Sequence, residues 1–185
     1  GLRTLIDRTL ADVRMAGGLQ MAHQVFALDS FISESSLSAR LEAELRGCTL
    51  ITTDTPPDLA LSGDRDLLQA ALGNLLQNAF KFTRPQTEVT LHAYAVADRI
   101  HIDVTDHCGG LPASVVDAVF EPFVQAGSDR SGLGLGLSIA RRSVEASHGT
   151  LSVRNAPGVG CTFTISLPRH ATPIRGDALQ GVDSR

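Results

Sequence analysis

Two amides and the only lysine of the chain recur at helical spacing. Asn74, Asn78 and Lys81 are four and three residues apart, so on an α-helix they fall within an arc of about 60°. Amide oxygens can ligate Mg²⁺, and an ammonium group can neutralise phosphate. The alternative is a solvated polar face without chemistry, and this segment alone does not separate the two interpretations.

A carboxylate followed by glycines forms the second candidate. Asp106 ends a predicted strand and precedes Gly109 and Gly110. A carboxylate can accept a hydrogen bond from an exocyclic amine such as that of adenine, and glycines let a base lie close to the backbone. The alternative is a plain strand-to-helix turn.

The third candidate is a run of alternating glycines, at positions 132, 134 and 136, just before a predicted helix. Such glycines expose backbone N–H groups and the positive end of the helix dipole, which suits phosphate. The spacing matches neither the dinucleotide-binding pattern nor a Walker A loop, because the third glycine comes too early and no Gly-Lys-Ser/Thr follows. The run therefore predicts an anion site.

The elements that must position these residues are helices and short strands. Apolar periodicity and turn residues predict helices over residues 2–16, 30–46, 64–82, 112–119 and about 137–147. They predict strands over 26–28, 48–53, 58–61, 87–96, 99–106, 151–155 and 161–167. This pattern is typical of an α+β sandwich with a mainly antiparallel sheet.

Composition narrows the function classes. The net charge is −4 and basic runs are absent, which argues against nucleic-acid binding. Three cysteines without a C-x-x-C pair argue against a disulfide framework or structural zinc site and favour a cytoplasmic setting. No apolar run approaches the ~20 residues of a membrane span. The chain begins at Gly1 rather than Met, so we expect a piece of a longer protein, whose parent can still be membrane-anchored.

Together the segments resemble, in order and spacing, the nucleotide-binding boxes of bacterial sensor histidine kinases, within the GHKL (Bergerat-fold) ATPase superfamily. The matching boxes are residues 74–83, 106–112, 120–123, 132–137 and 160–163. The resemblance covers about residues 20–168 and implies a two-layer α/β sandwich, with a mixed, mostly antiparallel sheet and about three helices on one face.

The resemblance also implies roles at an ATP site. Asn78 would hold the Mg²⁺ that bridges the phosphates, with Asn74 and Lys81 as the catalytic residues beside it. On the adenine side it implies contacts from Phe82, Asp106, Gly110 and Thr162. On the phosphate side it implies backbone or lid contacts from Arg130, Gly132, Gly134, Leu135, Gly136 and Leu137. The loop 124–136 would be the ATP lid, hinged at Phe120 and Phe123.

The implied reaction is transfer of the ATP γ-phosphoryl group to a histidine nitrogen on a dimerisation domain, with a response-regulator receiver domain as an indirect partner and a homodimeric parent protein. None of the six histidines has the family's phosphoacceptor neighbours, so we expect the acceptor to lie outside this chain. We expect 1–18 to be the end of the dimerisation domain, 19–168 the catalytic domain and 169–185 a flexible tail.

Two other functions remain open at this stage. One is a nucleotide-sensing or interaction module with weak catalysis, and the other is a serine kinase or ATP hydrolase of the same superfamily. Asn74 argues against the hydrolase, since family members that use water carry Glu there. One departure from the family pattern is Cys108, which stands where glycine is usual. It can crowd the base, act as a redox thiol or be an inert buried thiol.

Overall fold

The computed structural model describes residues 22–124 and 134–171, and every structural statement below concerns these residues. The elements, in chain order, are β1 His23–Ala27, α1 Leu28–Leu45, β2 Thr49–Thr52, β3 Leu59–Asp64, α2 Arg65–Phe82, β4 Glu88–Val96, β5 Arg99–Thr105, α3 Ala113–Val116, α4 Gly136–Ala146, β6 Thr150–Ala156, β7 Gly160–Pro168 and β8 His170–Ala171.

Five strands form the main sheet, in the order β2-β4-β5-β7-β6. The β4–β5, β5–β7 and β6–β7 pairs are antiparallel, whereas β2 runs parallel to β4. Both predicted hairpins are therefore present, and the prediction of a mixed, mostly antiparallel sheet is confirmed.

Alternation along the strands gives the sheet one apolar face. Leu91, Val104, Phe163 and Val153 are aligned across four strands and point to the core side. Three helices, α1, α2 and α4, bury their apolar side chains in the same continuous core. Its largest fully buried side chains are Phe31, Leu28, Leu59, Leu61, Leu68, Leu72, Leu75, Leu76, Leu91, Ile100, Ile102 and Ile165. The predicted layer of about three helices on one face is thus confirmed.

Helix α2 is fixed at both ends by local hydrogen bonds. Oδ1 of Asp64 accepts from the backbone N–H groups of Asp66 and Leu67, both at 3.1 Å, which is an N-cap. At the other end the N–H of Thr83 donates to the carbonyl of Ala79 at 2.9 Å. These ends set which side chains of α2 reach the site.

A second sheet of three strands, β1-β3-β8, lies beside the main one. Its strand β8 pairs with Leu59 and Ala60, and the N–H of Arg169 donates to the carbonyl of Asp98 at 2.8 Å. The predicted flexible tail from residue 169 is therefore wrong for residues 169–171. A two-residue strand is held by backbone hydrogen bonds and leaves no side-chain pattern in the sequence.

Other differences are confined to element ends. The predicted helix over 112–119 is helical only at Ala113–Val116, and turns follow it. The predicted helix over 2–16 and residues 172–185 lie outside the described residues. Within the described ranges, no helix combines the length and apolarity of a bilayer span.

Candidate functional site

The polar face of helix α2 is partly enclosed. Asn74 is only 5% exposed, although the apolar side chains of α2 occupy a different arc. Asn78 and Lys81, which share its face, are half-buried. The interpretation of a simple solvated face therefore does not hold for Asn74.

The carboxyl end of α2 is hydrogen-bonded to the loop that follows Asp106 and contains Gly109 and Gly110. Oγ1 of Thr83 accepts a hydrogen bond from the N–H of His107 at 3.1 Å, and the guanidinium of Arg84 donates to the carbonyl of Gly158 at 3.0 Å. The Nζ atom of Lys81 lies 4.9 Å from the ring centre of Phe82, within cation–π range. The end of α2 is thus held close to Asp106, one residue before His107.

Asp106 is a buried carboxylate, 3% exposed, with two backbone donors. Its Oδ1 atom accepts from the N–H of Cys108 at 3.0 Å and from the N–H of Cys161 at 3.1 Å. Its own N–H donates to the carbonyl of Cys161 at 2.9 Å. Both backbone donors use Oδ1, and the thiol of Cys108 also hydrogen-bonds to this carboxylate.

The glycines after Asp106 have backbone conformations that L side chains rarely adopt, and Gly110 is also tightly packed. Gly109 and Gly110 have φ values of +93° and +91°. A Cβ on Gly110 would lie 2.9 Å from Oδ1 of Asn155. That amide clamps the loop, since Oδ1 accepts from the N–H of Leu111 at 2.8 Å and Nδ2 donates to its carbonyl at 2.9 Å.

Cys108 fits this loop with an ordinary backbone, because it is not among the residues with positive φ. Its Sγ lies 3.7 Å from Sγ of Cys161, and the ligand atoms of these two cysteines and Asp106 lie within 4.8 Å of one another. Burial, and then the hydrogen bond to Asp106, raises the pKa of the Cys108 thiol to about 12. Burial also raises the pKa of Cys161. Without a bound metal, both thiols are therefore protonated at neutral pH.

The two sides of the predicted lid meet at its base. The N–H of Phe123 donates to the carbonyl of Gly134 at 2.9 Å, and Gly134 has a φ of +67°. Phe120 anchors the preceding turn edge-on against Phe163, with ring centres 6.2 Å apart. The predicted lid residues Arg130 and Gly132 lie outside the described residues.

The second glycine segment starts helix α4 beside α2. Leu135 packs with Leu67 of α2 and with Ile139 of α4 in one small apolar cluster. Gly136 and Leu137 form the first turn of α4, and its first N–H groups have no carbonyl partner within an α-helix. The predicted phosphate-binding turn and the amide-bearing helix are therefore packed against each other.

Thr162 is placed differently from the expectation. Its hydroxyl lies 3.1 Å from that of Thr105, on the face of β7 opposite to Cys161 and Phe163. The residue beside Asp106 is Cys161, which the sequence interpretation did not include. This geometry does not support the predicted contact of Thr162 with the adenine edge, so Thr162 is left out of the proposed site.

Comparison with known proteins gives a family for this arrangement. The family described as "Histidine kinase-, DNA gyrase B-, and HSP90-like ATPase" matches residues 63–171, more than half of the chain. Among curated relatives, the sensor-like histidine kinase SenX3 of Mycolicibacterium smegmatis is 33% identical over 150 residues, which are 79% of this chain and 39% of SenX3. The sensor histidine kinase RcsC of Escherichia coli is 39% identical over 122 residues, 64% of this chain and 12% of RcsC. The chain thus spans well under half of these relatives.

Solved structures show the same fold. The mycobacterial sensor histidine kinase MprB superposes with a TM-score of 0.72 at 28% identity, covering 80% of this chain and all of that one. Full-length ShkA in complex with AMPPNP superposes with a TM-score of 0.78 at 25% identity, covering 94% of this chain and 37% of ShkA. The chain belongs to the histidine kinase-, DNA gyrase B- and HSP90-like ATPase family, as an ATP-binding catalytic domain of the sensor histidine kinase type.

Proposed function

We propose that this domain binds ATP with Mg²⁺ and transfers the γ-phosphoryl group to a histidine of a dimerisation domain. The observations that support the proposal are two contacts of helix α2: Thr83 at its carboxyl end is hydrogen-bonded to the residue after Asp106, and Leu67 near its start packs with Leu135 at the start of α4. Helix α2 brings amides and an ammonium group, the β5 end brings a buried carboxylate, and α4 begins on glycines packed against α2. Each element offers the chemistry that one part of a nucleotide requires.

The adenine end is assigned to Asp106, Gly110 and Phe82. The Oδ2 atom of Asp106 would accept from the exocyclic amine, while Oδ1 stays held by two backbone donors. Gly110, whose missing side chain lets the loop pack against Asn155, would contact the base through its backbone, and Phe82, 40% exposed, would offer an aromatic ring. A base without an exocyclic amine would leave the buried carboxylate of Asp106 without a hydrogen-bond partner and would therefore bind more weakly. This end would thus select for an amino-substituted base.

The phosphate end is assigned to Lys81 and the start of α4. The ammonium group of Lys81 would contact phosphate oxygens, and the N–H groups of Gly134, Leu135, Gly136 and Leu137 would donate to them. Arg130 and Gly132 are proposed lid contacts on sequence resemblance alone. Since the N–H groups of a first helical turn lack intrahelical partners, phosphate binding would satisfy them.

The donor set near the phosphates fits a magnesium ion. Asn78 and Asn74 carry amide oxygens one helical turn apart on the partly enclosed face of α2, and Mg²⁺ prefers oxygen ligands. Bound Mg²⁺ would neutralise charge on the phosphates. The chain's own contribution is in-line positioning, for which no strong base is needed, because a neutral histidine nitrogen is already nucleophilic.

The test uses the domain together with a dimerisation domain that carries the acceptor histidine, added as a separate chain. With [γ-³²P]ATP and Mg²⁺ we expect acid-labile, base-stable label on the acceptor. Asn78→Ala should remove the label and weaken Mg-dependent ATP binding at least about tenfold, a loss of about 1.4 kcal/mol. Gln77→Ala, one residue away and off this face, should retain both.

Other outcomes would favour other functions. ATP binding that depends on Asn78, with no label on any histidine acceptor, would support a nucleotide-sensing module. Phosphate release to water at the same rate with and without acceptor would support an ATP hydrolase. Label that resists acid and is lost in base would support a serine kinase. Any of these results would overturn histidine phosphorylation.

A further inference from the structure

Cys108 and Cys161 are distant in sequence and adjacent in space. They are 53 positions apart, yet their sulfur atoms are separated by 3.7 Å. Their backbone N–H groups both donate to Oδ1 of Asp106, at 3.0 and 3.1 Å, so one carboxylate oxygen holds the two residues together. The third cysteine, Cys48, is buried elsewhere in the core and hydrogen-bonds to Ala43. The sequence alone gave no reason to pair any two of the three.

We propose that Cys108 and Cys161 form a reversible intrachain disulfide when a small-molecule disulfide oxidises the domain, and that this bond weakens nucleotide binding. The effect on nucleotide binding rests on the proposed function, whereas the formation of the disulfide does not. The site is thus a dithiol modification site next to Asp106, the residue assigned to the adenine base.

The reaction balances with an oxidised low-molecular-weight disulfide as the oxidant. Cys108, the more accessible of the two, attacks one sulfur of the reagent, and the first reagent thiol leaves with the proton of Cys108. Cys161 then attacks the sulfur of Cys108, and the second reagent thiol leaves with the proton of Cys161. The two cysteines lose two electrons and two protons, and the reagent is reduced to two thiols.

The geometry needs only a short closing movement. A disulfide requires its sulfur atoms to be about 2.05 Å apart, so the present separation must shrink by roughly 1.7 Å. Cys161 lies in β7, which is paired on both sides with β5 and β6. Cys108 lies in the loop after β5, so the loop is the part that moves.

That movement would disturb the adenine end. The N–H of Gly110 donates to Sγ of Cys108 at 3.4 Å, and Cys108 is bound through its own N–H to Asp106. A shift of Cys108 toward β7 therefore displaces the carboxylate and the glycine that are assigned to the base. Because hydrogen bonds weaken within a few tenths of an ångström beyond their optimal length, we expect the affinity for ATP to fall.

The competing possibility is a pair of inert thiols. The raised pKa of both thiols slows thiolate attack at neutral pH. It does not prevent the bond, because contact between the sulfurs makes the second step intramolecular. We therefore expect a slow reaction that accelerates with pH.

The experiment treats the folded domain with oxidised glutathione at pH 8.5 in the presence of EDTA, which prevents a metal bridge from mimicking the bond. The expected product is lighter by two hydrogen atoms, with one free thiol where the reduced chain has three. Peptide mapping should link Cys108 to Cys161. The melting temperature should rise and return after dithiothreitol, because the bond closes a loop of about 53 residues.

Matched variants make the result decisive. Cys48→Ala should still lose two hydrogen atoms, whereas Cys108→Ser and Cys161→Ser should not. A folded domain that keeps all three thiols, or that stops at a stable glutathione adduct, would overturn the dithiol site. If Cys161→Ser is unfolded, Cys108→Ser alone decides, since its side chain is only partly buried.

Nucleotide binding is measured separately on the reduced and oxidised forms. A fall in ATP affinity of at least about fivefold on oxidation, reversed by dithiothreitol and absent in Cys108→Ser, is expected. Equal affinity in both forms would overturn the coupling. If the reduced domain binds no ATP, the proposed function fails, while the mass and mapping results still decide whether the disulfide forms.

Discussion

The side-chain amide of Asn155 makes two hydrogen bonds to the backbone of Leu111, of 2.8 and 2.9 Å. The Oδ1 atom accepts from the N–H of Leu111, and Nδ2 donates to its carbonyl. One side chain of strand β6 therefore makes the pair of hydrogen bonds that a neighbouring strand would otherwise make with the glycine loop. Cys161 also donates weakly to the same Oδ1 atom, at 3.6 Å. Asn155 therefore positions the glycine loop, which is proposed to contact adenine.

Asn155→Ala should lower the free energy of unfolding by about 2 kcal/mol, because two partly buried backbone groups lose their partners. It should also weaken ATP binding. Chemical denaturation and calorimetric titration measure the two effects. Ser152→Ala, an exposed position on the same strand, is the control and should stay within about 0.5 kcal/mol of the unmodified domain. Equal stability of both variants would contradict the clamp.

Asp106→Asn separates folding from recognition. The amide oxygen of Asn can still accept from the N–H groups of Cys108 and Cys161, so the free energy of unfolding should change by only about 1 kcal/mol. The amide nitrogen that replaces Oδ2 cannot accept from an adenine amine. ATP affinity should therefore fall at least about tenfold, measured by titration. Unchanged affinity in a folded variant would remove Asp106 from the adenine site.

Gly134→Ala and Gly158→Ala form a matched pair. Both glycines have positive φ, +67° and +79°, so alanine costs about 1 kcal/mol at either position. At Gly134 the new Cβ would also lie 2.9 Å from the backbone of Phe123, whereas at Gly158 it meets nothing within 4 Å. We expect denaturation to show a loss of about 2–3 kcal/mol at Gly134 and about 1 kcal/mol at Gly158. Similar losses at both positions would show that the two sides of the lid base are not in tight contact.

The rate of alkylation of the Cys108 thiol should rise only at a higher pH than that of an ordinary cysteine. Its pKa is raised from 9.0 to about 12, chiefly by burial, so the folded chain binds this proton more tightly than the unfolded chain. The stability from this group is therefore complete below pH 9 and is lost as pH rises toward 12.

The measurement is alkylation by iodoacetamide in Cys48→Ala, followed by mass spectrometry. At pH 8 the folded domain should react at Cys108 about 30-fold more slowly than the urea-unfolded chain. The raised pKa lowers the fraction of thiolate, and the greater nucleophilicity of each thiolate offsets only part of that loss. Between pH 7 and 9.5 the folded rate should rise about tenfold per pH unit. A plateau near pH 9 would contradict the raised pKa.

The sequence predicted the elements better than it predicted their contacts. Apolar periodicity along α2 and alternation along the β4–β5 and β6–β7 hairpins are local signals, and the structure has these elements within a few residues of the predicted bounds. The short helix α3 was predicted too long, and β8 was missed because two residues held by backbone bonds carry no periodic pattern.

The site shows the same division. The boxes identified Asp106 and the glycines by type and spacing, but the register of β5 against β7 decides which residue of β7 meets Asp106. A displacement of one residue reverses the face of a strand, and for this reason Cys161 lies in the site while Thr162 contacts Thr105. The proximity of Cys161 and Cys108, 53 positions apart, likewise depends on that register.

The bond between Phe123 and Gly134 has a consequence for how this domain can vary. Phe123 and Gly134 are hydrogen-bonded to each other, with ten residues between them in the sequence, so a change in the number of those residues need not move either anchor. Doubling a flexible span costs only about 0.6 kcal/mol in closure entropy. Related domains can therefore differ in the number of residues between these two anchors while the core and the Asp106 loop keep their geometry, whereas the proposed contacts of Arg130 and Gly132 would depend on which residues stand there.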